Sequence, residues 1–123
     1  MVQFYRTTLL TLSLFLFLAC GPDTIFLRPA LDTPQQHVKN GHNLLSRGKI
    51  DAANAEFLRA KNLDQNYAPA YVGLALIQGH QGNIDLGFDI LNQAKARATT
   101  PEDTQVVDRG YEQLQEMQAI NKN

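Results

Sequence analysis

The rarest reactive side chains in the sequence are the lone Cys20 and the three histidines His37, His42 and His80. A single thiol has no internal partner, so the fold rests on packing without a disulfide. His42 and His80 can begin a metal site, but no carboxylate or cysteine stands near them at ligand spacing. Two ligands alone fall short of a closed site. No His-x-x-x-His pair, phosphate-cradling glycine loop or nucleophile elbow occurs. Asp51 and Asp85 each fall early in a predicted helix, where the positive end of the helix dipole favours a carboxylate. The expectation is a non-enzyme with no catalytic residue, no metal and no cofactor.

The bulk composition narrows the class. A chain of 123 residues has room for one domain. Its 11 Lys and Arg are scattered among 12 Asp and Glu, so no nucleic-acid footprint is present. Tryptophan is absent, while Ala, Leu, Asn and Gln are plentiful, a helix-leaning composition.

The placement of Cys20 matters more than its count. It closes an apolar run from Leu9 to Ala19, broken only by Thr11 and Ser13 and preceded by Arg6. A membrane-spanning helix needs ~20 apolar residues, so this run has the length of a signal-peptide hydrophobic region instead. Turn-formers Gly21, Pro22 and Asp23 follow. Leu18-Ala19-Cys20 resembles the lipobox of bacterial lipoproteins, with Phe17 and Leu18 where that family usually carries Leu and a small residue. The resemblance implies a signal peptide over 1–19, cleavage before Cys20, and acylation of its thiol and new amine. Two or more acyl chains make such an attachment durable. Gly21 resembles lipoproteins sent to the outer membrane, which implies a site facing the periplasm in a double-membraned cell. An uncleaved anchor with a free Cys20, or a buried amphipathic helix, are the other readings of the run.

Residues 20–32 then form a lipidated tether, with Pro22 and Pro29 and no helical period. At ~3.3 Å per residue it reaches about 40 Å when extended. Its apolar cluster, Ile25-Phe26-Leu27, has two open readings: a patch that docks on the domain, or a contact with the membrane or a partner.

The remainder repeats itself at an offset of 34 residues. Arg47-Gly48-Lys49-Ile50-Asp51 overlays Gln81-Gly82-Asn83-Ile84-Asp85, and Phe57, Ala60 and Lys61 overlay Leu91, Ala94 and Lys95. Such a period with a central glycine turn predicts paired antiparallel helices. Thr33-Pro34-Gln35-Gln36 offers a cap, a first-turn proline and a Gln placed to close a capping box. Helices are predicted from there to about Ser46, over Ile50–Leu63, from Pro69 to about Gln81, and from Ile84 to about Arg97. Ile50, Ala53, Phe57, Ala60 and Leu63 share one face. Leu74, Leu76, Ile77, Leu86, Ile90 and Leu91 supply the second pair's apolar face. Thr100-Pro101 starts a last helix to about Ala119, with a stripe of Val107, Gly110, Tyr111, Leu114 and Met117 and Glu112, Gln113, Gln115 and Glu116 opposite.

This array resembles the tetratricopeptide repeat, through Gly41, Leu44, Gly48, Ala53, Phe57 and Ala60, then Tyr71, Leu74, Ala75, Gly82, Leu91 and Ala94. It departs from that pattern at His37 and Asn40, where a bulky aromatic and Leu are usual, at Gln78, and at Gln65 and Thr99, where the closing proline is missing. The resemblance implies an all-α short solenoid over residues 33–120: repeats at about 34–67 and 68–100 and a capping helix over 101–120. It also implies a concave groove lined by the first helix of each pair. Gln35, Val38, His42, Leu45 and Ser46 then face it with Pro69, Val72, Leu76, Gly79 and His80. These positions lack the Lys, Arg and Asn cluster with which family members grip a terminal carboxylate. An apolar or helical peptide segment is the expected occupant. Two repeats and a cap are near the minimum for a stable stack, so self-association or completion of the core on a partner is also expected. The functions left standing are a membrane-tethered adaptor or assembly factor of the cell envelope, and a ligand-binding accessory subunit of an envelope transport system.

Overall fold

The computed structural model describes residues 32–122; Cys20, the apolar run before it and Ile25-Phe26-Leu27 lie outside the described residues. Five helices and no strand occur among them: α1 (Pro34–Leu45), α2 (Ile50–Leu63), α3 (Ala68–His80), α4 (Ile84–Arg97) and α5 (Pro101–Asn121). None of these is long and apolar enough to cross a membrane. The last helix runs two residues beyond Ala119, the expected end.

Local chemistry sets the boundaries. Thr33 Oγ1 accepts the Gln36 amide at 3.2 Å, and Thr100 Oγ1 accepts that of Asp103 at 3.1 Å. These bonds satisfy donors that the first turn leaves free. Gln36 does not close the expected capping box: its side-chain Nε2 donates to Asn40 Oδ1 at 2.9 Å, an acceptor one turn along the same face. Gly48 and Gly82 turn the chain within each pair at φ +70° and +85°, a region costly for residues with a Cβ. The next amides, of Lys49 and Asn83, then reach back to the carbonyls of Leu44 and Gln78 at 3.0 and 2.9 Å. Both turns therefore close with the same bond that commonly ends a helix at glycine.

The helices pack in sequence order. α1 lies on α2 and α3 on α4; α3 also packs back on α1 and α2, and α5 packs on α3 and α4. Helix α3 is consequently buried on both sides, with eleven of its thirteen residues inside. One core cluster gathers Val38, Ala53, Phe57, Ala60, Leu74 and Ile77; the other gathers Tyr71, Val72, Leu76, Leu91, Val107 and Leu114. The 34-residue correspondence extends into the cores, since Phe57 and Leu91, like Ala60 and Ala94, are wholly buried. Two expected core residues are not: Leu63 and Leu86 are 37% and 48% exposed. Leu63 is the last residue of its helix, and Leu86 stands ~100° around α4 from Gly87, off the buried Gly87–Leu91–Ala94 stripe.

Candidate binding groove

Helices α1, α3 and α5 wall two adjoining cavities. The first, about 350 Å³, is lined by Val38 and His42 of α1, Tyr67 just ahead of α3, Pro69 and Val72 of α3, and Val106, Arg109 and Gln113 of α5. The second, about 390 Å³, is lined by His42, Leu45, Ser46, Leu76, His80, Gln113 and Met117. His42 and Gln113 border both, which joins them into one groove. A smaller hollow continues it past His80 and Met117 to Ile120, which is 73% exposed.

All six residues expected in a partner groove border these cavities, in two roles. Val38, Val72 and Leu76 form the floor and belong to the core, at 8%, 2% and 3% exposure. Val72 packs so closely under α5 that a Cβ on Gly110 would lie 2.8 Å from its Cγ1. His42 and His80 are exposed on the rim, with Leu45 half-buried beside them. Ser46, Pro69 and Gly79 also border the groove or its continuation, whereas Gln35 does not.

The whole far wall comes from residues not assigned to the groove in advance: Val106, Arg109, Gln113 and Met117 of the capping helix, with Tyr67 from the turn before α3. They recur at three- and four-residue spacing along α5, beside its buried stripe of Val107, Gly110 and Leu114. Tyr111 falls on the opposite flank, stacked on Phe88 at 6.2 Å, its hydroxyl donating to Asn92 Oδ1 at 2.6 Å.

Arg109 is the one permanently charged side chain among the residues lining the two main cavities. His42 is exposed along its outer edge but meets Phe57 edge-on at 5.2 Å, and the desolvation there lowers its pKa, so the imidazole is mostly neutral at pH 7. Burial, with Asp103 and Asp64 nearby, raises the Tyr67 phenol, so it keeps its proton. Ser46 Oγ donates to the Asn43 carbonyl at 3.0 Å, in the geometry of a helix-end cap. The result is an apolar floor with a rim of imidazole, amide, phenol and guanidinium, groups able to form hydrogen bonds. His42 and His80 both reach the second cavity, and no cluster of three or more His, Cys, Asp or Glu suited to a metal occurs among the described residues.

No family model, curated protein or solved structure matches the chain.

Proposed function

We propose that this chain is a lipid-anchored helical-repeat adaptor of the bacterial cell envelope, whose groove between α1, α3 and α5 holds an apolar or helical segment of a partner protein. The observation that carries the reading is the groove itself. Three helices contribute to it, its floor is apolar, and its polar groups sit at the rim, the division expected where a peptide buries side chains and is oriented by hydrogen bonds. The 34-residue recurrence of helix starts, glycine turns and buried positions supports a tetratricopeptide-type repeat. The lipobox-like Leu18-Ala19-Cys20 supports the anchor. On this reading the lipid is the fixed end and the groove the working end.

A second reading has one observation in its favour: a partly apolar cavity of about 350 Å³ also suits a small molecule, as an accessory subunit of a transporter would require. Crosslinking in intact cells, followed by mass spectrometry, separates the two. The adaptor reading expects a defined envelope protein joined at the groove rim. It also expects a lipid mass on Cys20 that disappears, with membrane association, in Cys20→Ser. Recovery of a co-purifying small molecule and no protein would favour the second reading.

A further inference from the structure

His37 sits on the first turn of α1, away from the groove, and its two ring nitrogens face two different carboxylates. Nε2 lies 2.8 Å from Asp32 Oδ1, and Nδ1 lies 2.7 Å from Glu56 Oε2 on α2. Ionised carboxylates only accept hydrogen bonds, so both contacts exist together only when both ring nitrogens carry hydrogen. A neutral imidazole has one N–H; it keeps one carboxylate and turns a lone pair toward the other. We propose that His37 is a proton-operated clasp, which when protonated ties Asp32, the residue leading into the domain, to Glu56 of the second helix, and when neutral lets one of the two go.

The surroundings make the charge count decisive. The titratable groups facing the ring are Asp32 from the segment ahead of α1 and Glu56 from α2, with Arg59 of α2 held against Asp32. Arg59 Nη2 meets Asp32 Oδ2 at 2.5 Å and its Nε meets Oδ1 at 3.2 Å. From α1 itself comes only the neutral Asn40, whose Nδ2 donates to Glu56 Oε2 at 3.3 Å. Two carboxylates and one guanidinium are balanced only by an imidazolium; losing that proton leaves the cluster with a net negative charge. Partial burial works against the charged ring, but its hydrogen bonds to Asp32 and Glu56 outweigh that cost and raise its pKa above the ordinary value. The clasp is therefore closed below pH 6.5 and opens as pH climbs through the raised value. What it holds is the first turn of α1, where the Gln36 amide bonds to Thr33 Oγ1 and the His37 amide to the Thr33 carbonyl at 3.1 Å.

The test uses the full chain in lipid nanodiscs, with two readouts. The carbon-bound proton shifts of the His37 ring give its titration midpoint, and hydrogen exchange gives the protection of the Gln36 and His37 amides. The midpoint is expected above 6.5 in the native chain, and lower in Asp32→Asn and in Glu56→Gln. Amide protection, corrected for intrinsic exchange, is expected to fall across that midpoint in the native chain and to stay level in His37→Gln. Asp32 lies on the surface outside every helix, so Asp32→Asn leaves the core intact and keeps the test sound if another variant folds poorly. A midpoint at or below 6.5, a midpoint unmoved by Asp32→Asn, or protection that does not change with pH in the native chain would each overturn the clasp.

Discussion

The Phe57 ring lies directly against the backbone of Gly73: a Cβ there would overlap Phe57 Cδ1. A Cβ at Gly41 would fall 2.6 Å from Cε1 of the same ring, so the Phe57 side chain of α2 bears on bare backbone of both α1 and α3. Phe57 is wholly buried and has nowhere to retreat. Gly73→Ala is therefore expected to destabilise the domain by about 1–3 kcal/mol through overpacking. That outcome runs against the ~1 kcal/mol that alanine gains over glycine within a helix. Urea denaturation measures the difference, and Phe57→Leu in the same chain should restore part of it. A Gly73→Ala midpoint above the native one would show that the ring does not sit there.

The two turn glycines make a contrasting case. A Cβ on Gly48 or Gly82 would meet nothing within 4 Å, so any penalty at these sites comes from the backbone alone. Each Gly→Ala exchange should cost roughly 1–2 kcal/mol from the positive φ. Gly→Asn should cost less, because asparagine tolerates that region better. Equal losses for Ala and Asn in thermal melts would contradict the backbone explanation.

The chain between the two helix pairs is held from one carbonyl. Gln65 O accepts both the Tyr71 hydroxyl at 2.8 Å and Arg97 Nε at 3.1 Å, while the Arg97 guanidinium lies 4.2 Å from the centre of the Tyr71 ring. This staple stands at Gln65, where the tetratricopeptide pattern that the sequence resembles has a proline. Tyr71→Phe keeps the ring and removes one bond, for an expected loss of about 0.5–1.5 kcal/mol. Tyr71→Leu should lose more, since the surface under Arg97 goes as well. A Tyr71→Phe protein as stable as the native one in denaturant would mean the hydroxyl bond adds nothing.

Much of this was legible in the sequence, for definable reasons. Capping residues, positive-φ glycines and three-to-four spacing act locally, so Thr33, Gly48, Gly82 and the Phe57–Leu91 correspondence place the helices within a residue or two. What escaped depends on side chains meeting across elements. The periodicity of α5 tells its buried stripe from its exposed back but not which flank turns toward α1, so it does not mark Arg109 and Gln113 as a groove wall. His37 and Asn40 looked like plain departures from the repeat pattern; both bond to Glu56, sixteen or more positions away. Their polarity is explained by a partner that no local pattern reveals.

The same cluster makes a prediction about stability and pH. Arg59, then His37, lower the Asp32 pKa from 3.8 to about 2, so its contribution is full above 3.8 and is lost as pH falls toward about 2. The His37 pKa is raised, so its contribution is full below 6.5 and is lost as pH rises through the raised value. The melting-temperature gap between the native chain and Asp32→Asn should thus be widest between about pH 4 and 6.5 and shrink on both sides. A gap that stays constant from pH 3 to pH 9 would rule out the coupling.

In the proposed adaptor role, the face between α1, α3 and α5 holds a protein segment. Gln113 and Glu112 are adjacent and both exposed, but only Gln113 borders the groove. A photo-crosslinking amino acid placed at each position in turn, in intact cells, shows whether that face is occupied. One discrete protein adduct is expected from position 113, absent from position 112 and weakened by His42→Asp on the opposite rim. Adducts equal at both positions, or none at position 113, would contradict it.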